Sequence, residues 1–407
     1  MPHDRLQLTL RAELQKLDSE GRRKGAETVI AGVVPASGDK GPRYLIAGAG
    51  DTPFLRMNAN NYLGLALQQA VVAAEDEGVQ RFGAGPGAVR FIGGTWASHV
   101  ALEQRLAAFH RREAAMVFSS AYAAMMGSLP GLVTPETAVI SDALNHNCII
   151  NAIRLARPKQ RFVYPHLDLA ALERGLDEAA ASCQRAIIVT DGVFSMRGDH
   201  APLAAIAALA RKHDAAFAEN VLLVVDDSHG IGAFGATGRG TEEVSGGTAD
   251  ILIGTLGKAF GVNGGYAAAS GAVIDYLRET SPFYVYSNPI APGEAAAAGA
   301  AVALVDGQAG RDRLLHLAAM TKRFRVGLAR LQLETLHGLH PIVPLMVRDT
   351  ARNLALVNHL RAAHVLATGL NFPVVPRGDE EIRFQLCTDH TPADIDEVLA
   401  ALAAFRG

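Results

Sequence analysis

The chain has 407 residues, 38 Lys and Arg against 41 Asp and Glu, a net charge of −3, and 49% hydrophobic against 19% charged residues. This predicts two substantial domains around a large core and excludes a disordered chain or a basic nucleic-acid footprint. No apolar run reaches the roughly 18 residues of a membrane span, the charged start MPHDRLQLTL lacks the apolar segment of a signal peptide, and Cys148, Cys183 and Cys387 stand too far apart for a disulfide framework or a metal knuckle.

A reducing, cytoplasmic setting with no metal is therefore expected. Leu6, Leu10, Leu14 and Leu17 recur at helical spacing and predict an opening helix. Residues from Gly32 to Pro53 are rich in Gly and Pro and read as an exposed connection or arm. From Phe54 the texture alternates. Short apolar runs at 114–118, 186–189, 221–225 and 251–253 predict buried strands. Alanine-rich helical stretches lie between them, one with Leu102, Leu106 and Phe109 on a shared face and another over 202–212. Such alternation predicts an α/β domain with a mainly parallel sheet, whose chemistry gathers beyond the carboxyl ends of the strands.

Past Pro289 a helical stretch runs into residues 311–331. A strand candidate (341–347), a helix (351–362) and a second strand candidate (382–386) follow. Thr391 is placed to cap a final helix, with Pro392 in its first turn and Asp394 closing a capping box. The expected division is an N-terminal helix and arm (1–53), a large domain (54–288) and a smaller α+β C-terminal domain (289–407).

The strand 221–225 runs into Asp226-Asp227-Ser228-His229-Gly230. Two carboxylates and an imidazole at a strand's carboxyl end stand where a parallel sheet places function, although such residues also cap turns. The next residues, Gly230-Ile231-Gly232-Ala233-Phe234-Gly235, match the dinucleotide fingerprint in letters. That fingerprint needs a helix opening at its glycines. Here Ala236-Thr237-Gly238-Arg239-Gly240 follows with no apolar face, so a polar loop is expected and a nicotinamide enzyme is the weaker reading.

Ser119-Ser120-Ala121-Tyr122 lies between the strand 114–118 and a helix at 123–129. Backbone N–H groups at such a start can hold a phosphate and Tyr122 can cover an aromatic ligand; an ordinary serine cap is the plainer alternative. Thr255-Leu256-Gly257-Lys258 follows the strand 251–253, with Gly261, Gly264 and Gly265 beyond. A lysine there suits pyridoxal phosphate (PLP), which requires a lysine for its Schiff base and a carboxylate against its ring nitrogen. Lys258, Asp226 and the 119–122 cradle together make a more specific pattern than any one of them.

Further ordered blocks carry a family likeness: Asn60-Asn61-Tyr62-Leu63-Gly64-Leu65, Arg90-Phe91-Ile92-Gly93-Gly94-Thr95, Ser141-Asp142-Ala143-Leu144-Asn145-His146, Asp191-Gly192-Val193-Phe194-Ser195-Met196 and Ile382-Arg383. From about Asn60 onward the chain resembles the α-oxoamine synthases, PLP enzymes of fold type I (aspartate-aminotransferase-like). Residues 141–155, Tyr286-Ser287-Asn288 and Phe372-Pro373-Val374-Val375-Pro376 are most similar to the 2-amino-3-ketobutyrate CoA ligases within that family.

The resemblance implies roles. Lys258 would hold PLP and move the α-proton, and Asp226 would pair with the ring nitrogen. His229 and Ser195 would meet the phenolic oxygen, and His146 would stack on the ring. Ala121, Tyr122 and Thr255 would meet the phosphate. Asn60 would lie at the substrate and Arg383 would grip the amino acid carboxylate, a task suited to its planar fork. Ser287 and Asn288 would reach the cofactor phosphate of a second subunit, implying a homodimer with shared active sites.

The implied reaction joins a small amino acid, glycine in the first instance, to an acyl-CoA thioester. Serine palmitoyltransferase, 8-amino-7-oxononanoate synthase and 5-aminolevulinate synthase share this core and stay open as alternatives. So do a fold-type-I aminotransferase or decarboxylase and a silent cofactor-binding protein. Ala121-Tyr122-Ala123-Ala124, Arg197 and Cys387-Thr388-Asp389 depart from the family's usual residues. They leave the lysine machinery intact and bear on substrate choice.

Overall fold

The computed structural model describes residues 3–20, 22–23 and 26–406. The chain forms two compact units, Asn60–Thr321 with His337–Pro341, and Met1–Ala59 with Lys322–Leu336 and Ile342–Gly407.

The larger unit is built on a seven-stranded sheet. Its spatial order is Ala114–Phe118, Gly265–Ala269, Ile251–Thr255, Val221–Asp226, Arg185–Asp191, Thr137–Asp142 and Gln160–Tyr164. Gly265–Ala269 runs antiparallel to both neighbours, and the other pairs are parallel. The four strands expected from their apolar runs are all present, each at or within a few residues of its expected bounds. Val224, Ile251, Ile253, Ile187 and Val189 lie wholly inside, which is the two-sided burial that a parallel sheet imposes on β-branched residues. Helix Ala121–Leu132 starts at Ser120, whose Oγ accepts from Ala123 N (3.0 Å), so the serine cap is real.

The smaller unit holds a three-stranded antiparallel sheet in the order Ile342–Met346, Glu381–Gln385, Thr368–Leu370, and a four-stranded sheet of Ile30–Val34, Arg43–Ile46, Pro53–Arg56 and Val365–Leu366. The arm expected from Gly32 to Pro53 thus carries strand at 32–34, 43–46 and 53, with turns and irregular chain between. The two sheets are tied by Gln385 N donating to Met57 O (2.8 Å), and Arg43 pairs with buried Asp394 (2.7 Å). Those contacts place residues before Asn60 with the C-terminal part of the chain rather than in a domain of their own. The final helix, Pro392–Ala404, has the expected capping box: Asp394 N donates to Thr391 Oγ1 (3.2 Å) and Thr391 N to Asp394 Oδ2 (2.9 Å).

Helix Pro292–Asp306 belongs to the larger unit, not to the domain expected from 289 onward. It lies on helices Gln69–Phe82 and Ala97–His110, and a Cβ at Gly78 would come within 2.8 Å of Gly293 Cα, so only small residues permit that approach.

Candidate active site

The carboxyl ends of the parallel strands surround a cavity of about 230 Å³. Lys258, Asp226, His229, His146, Ser195, Thr255, Ala121 and Tyr122 line it, and Ser120, Cys148, Asp191, Val193 and Ser228 complete the wall. Eight of the residues singled out in the sequence therefore converge on one space, although they span positions 121 to 258.

Each arrives for a local reason. Val221–Asp226 delivers Asp226, whose Oδ1 accepts from Ser228 N (3.1 Å) as the chain turns. Asp227 points elsewhere: its carboxylate takes Thr241 N and Thr241 Oγ1, both at 2.6 Å. A Cβ at Gly192, Gly230 or Gly240 would stand 2.0–2.2 Å from that carboxylate, so these glycines make its niche. Burial raises Asp227 to about 7. The Gly230–Gly235 stretch is a loop that doubles back, with Ile231 bridging Arg239, and helix Thr241–Ser245 begins only afterwards. No dinucleotide turn forms.

Gly265 faces the helix start at Ala121. A Cβ there would lie 2.0 Å from Ala121 N, so the strand backbone itself abuts the turn that carries Ala121 and Tyr122. Ser120 Oγ accepts from Ala123 N, and the N–H groups of Ala121 and Tyr122 have no acceptor within the helix. The Tyr122 hydroxyl donates to Asn147 Oδ1 (3.0 Å) and accepts from Asn151 Nδ2 (2.6 Å), which fixes its ring beside His146 at 6.4 Å between centroids. The Thr255 hydroxyl is engaged in its own turn, donating to Gly264 O (3.3 Å) and accepting from Gly257 N (3.2 Å).

The His146 Nδ1 caps helix Asn147–Ala156 by accepting from Cys148 N (3.3 Å), while the His146 backbone N–H donates to Asp191 Oδ2 (2.9 Å). Burial holds its imidazole below the ordinary value; nearby Asp226 opposes this and Lys258 adds to it. Asp191 and Asp226 are register partners on adjacent strands. Burial, and then the Asp226 charge, push Asp191 well above the usual carboxylate range. Burial likewise pushes the Cys148 thiol up, so it stays protonated and donates to Asp226 Oδ2 at 3.3 Å.

Four expected residues do not line this cavity. Asn60 is not among the lining residues; its Oδ1 lies 3.4 Å from the hydroxyl of Tyr62, which stands behind His229. Ser287 and Asn288 follow helix Pro282–Val285, with Asn288 exposed. Arg383 sits in the smaller unit at the middle of its three-stranded sheet, between Pro344 and Thr368. With the Gln385 amide oxygen turned toward it, Arg383 Nε donates across the same face at 2.7 Å.

Sequence reasoning gave no role to Cys148, Asp191 or Tyr62. The first two carried a signal: one lies two residues past His146, and the other ends the strand next to Asp226.

The donor set suits a planar ring bearing one anionic group. A primary amine, a buried carboxylate and a helix start with open N–H groups share one small cavity, as PLP requires. Among the described residues no group of His, Cys, Asp or Glu is arranged to hold a metal ion, and no helix is long and apolar enough to cross a membrane.

Comparison with known proteins gives the class. The chain belongs to the family described as Aminotransferase class I and II, whose profile matches residues 52–402. Within that class its relatives are α-oxoamine synthases, and the chain is a PLP-dependent enzyme of that group, with their α/β fold. It is 40% identical to an 8-amino-7-oxononanoate synthase of Geobacter metallireducens over 97% of this chain and 96% of that one. It is 38% identical to the mitochondrial 2-amino-3-ketobutyrate coenzyme A ligase of Homo sapiens, over 89% and 84%. A solved structure of SPT (serine palmitoyltransferase) with PLP superposes with a TM-score of 0.85 at 25% identity, covering 99% of this chain and 97% of that one.

Proposed function

We propose that this enzyme joins a small amino acid, glycine in the first instance, to an acyl-CoA thioester. A bond forms between the amino acid α-carbon and the thioester carbonyl carbon, the C–S bond breaks, and CoA leaves as the thiol. The product is a β-keto amino acid, or an α-amino ketone where the carboxylate is lost. The observation that carries this reading is the single cavity shared by Lys258, Asp226, His146, His229 and the 120–122 helix start. PLP, when bound, supplies a ring that accepts the electron pair left by the departing α-proton.

In this reading Lys258 Nζ holds the cofactor and moves the α-proton. Asp226 holds the proton on the ring nitrogen, helped by the Cys148 S–H at its other oxygen. His229 and Ser195 face the phenolic oxygen, and His146 covers the ring. The N–H groups of Ala121 and Tyr122, with Thr255, receive the phosphate; Thr255 must turn its hydroxyl from Gly264 O to do so. Asn60 and Arg383 serve the amino acid, Arg383 through its carboxylate. Ser287 and Asn288 complete the phosphate site of a second subunit in a homodimer. Phe91 and Ile92, each 67% exposed, and Tyr286, 78% exposed, support that assembly, since a lone chain leaves them in water. The working location is the cytoplasm, consistent with three free cysteines.

A second reading is favoured by the 40% identity to an 8-amino-7-oxononanoate synthase. That product name describes a nine-carbon acid whose amino ketone end is alanine without its carboxylate, leaving a seven-carbon dicarboxylic acyl donor. One panel separates the readings: glycine, alanine and serine crossed with acetyl-, pimeloyl- and palmitoyl-CoA, scored by CoA release and product mass. Glycine with a short acyl-CoA is the expected pair. Turnover confined to alanine and the dicarboxylic thioester would move the enzyme to the second reading, and amino-group transfer without CoA release would overturn both.

A further inference from the structure

We infer that Tyr62 is a positioning residue for His229: its hydroxyl donates to His229 Nδ1 and thereby fixes the imidazole as the Nε2–H tautomer that faces the cavity. The inference rests on the reading that His229 meets the PLP phenolic oxygen, and adds the residue that prepares it.

Tyr62 is wholly buried and lines no part of the cavity. Its hydroxyl therefore serves the protein rather than a substrate. The Tyr62 oxygen stands 2.8 Å from His229 Nδ1, a good hydrogen-bond distance. Asn60 Oδ1, at 3.4 Å, lies beyond the usual O–H···O range. Across the short contact with His229 a phenol O–H is a stronger acid than the N–H of a neutral imidazole, so the hydroxyl proton belongs on the Nδ1 side. A neutral imidazole has one donor and one acceptor nitrogen. With the Nδ1 lone pair filled by Tyr62, the ring hydrogen lies on Nε2, and the edge turned to the cavity carries a donor. An oxygen with anionic character requires a donor there; the opposite tautomer would confront it with a lone pair.

The backbone of the same residue is held independently. His340 Nε2 donates to His229 O at 2.9 Å, and the His340 ring lies edge-on to both Tyr62 and Phe234, each at 5.5 Å between centroids. His340 comes from the short segment His337–Pro341, which belongs to the larger unit although the chain on either side of it belongs to the smaller one. His229 is thus gripped at its ring by residue 62 and at its carbonyl by residue 340. A side chain held at both ends loses little freedom when a ligand arrives.

The test is side-chain nitrogen NMR of full-length protein carrying ¹⁵N-labelled histidine, with and without PLP, His229 being assigned by its loss in His229→Asn. The expected spectrum shows Nδ1 unprotonated and Nε2 protonated before PLP is added. Tyr62→Phe keeps the aromatic ring and its contacts but frees Nδ1; both tautomers should then appear, and the PLP dissociation constant should rise about fivefold, the effect of one hydrogen bond. An Nδ1–H tautomer in the wild-type protein overturns the inference. So does a Tyr62→Phe protein with unchanged tautomer and unchanged PLP affinity. If that variant does not fold, the wild-type spectrum alone decides. Normal PLP affinity in His229→Asn would instead remove the underlying reading of His229 while the tautomer result stood.

Discussion

The Cys148 thiol lies 3.3 Å from Asp226 Oδ2, and the other Asp226 oxygen accepts from Ser228 N at 3.1 Å, so the carboxylate is held from two sides. Asp227, its neighbour in sequence, is turned away into a niche closed by Thr241.

This arrangement predicts the outcome of Asp226→Asn. The amide can keep the Ser228 contact, so the fold should persist. It cannot hold a proton on a ring nitrogen by charge, and turnover should fall on the order of 10²-fold or more. Steady-state kinetics with matched PLP occupancy checks this. Near-normal turnover would shift the role to Asp191, the register partner of Asp226.

Arg383 gives a binding prediction. Lysine in its place keeps the charge and loses the two-pronged geometry. Arg383→Lys should raise KM for the amino acid well above any change in KM for the acyl-CoA. Equal changes for both substrates would make Arg383 a structural member of its sheet.

His166 links stability to pH. Its Nδ1 stands 3.0 Å from Asp142 and its Nε2 3.2 Å from Asp199, and these two carboxylates outweigh burial and raise it to about 9. The folded value lies above the ordinary 6.5. The stabilisation is therefore fully present below pH 6.5 and is lost as pH rises toward 9. Thermal melts of the wild type should weaken over that window, and His166→Gln should flatten the dependence. An identical pH profile in the variant would contradict the assignment.

Shared sites predict complementation. A Lys258→Ala chain and a chain altered at both Ser287 and Asn288 should each be inactive alone. Mixed after subunit exchange in equal amounts, they should recover about one quarter of the wild-type activity, since half the dimers are mixed and each regains one intact site. No recovery after confirmed exchange, or a monomer in sedimentation, would count against the shared site.

Much of this was legible in the sequence because local physics wrote it there. The run Ala114-Ala115-Met116-Val117-Phe118 has the composition of a buried strand, and Thr391 with Asp394 has the spacing of a capping box, so both are found where expected. Ile30–Val34 escaped notice because it is mostly exposed and shows no alternation. Gly265–Ala269 escaped because all its residues but Tyr266 are small, and at Gly265 the helix start leaves no room for a Cβ. Asp226 announced itself at the carboxyl end of a strand and Lys258 just past one. Tyr62 did not, since its meaning depends on a contact with His229 that no local spacing encodes.

The most direct test of the account is amino-acid-dependent release of CoA thiol from an acyl-CoA, followed in wild-type protein and in Lys258→Ala, each loaded with PLP and then treated with borohydride. The account predicts thiol release in the wild type only when both substrates are present, and borohydride fixation of PLP on the Lys258 peptide. It predicts neither in Lys258→Ala. Thiol release at the wild-type rate in that variant, or PLP fixed on another lysine of the wild type, would contradict it.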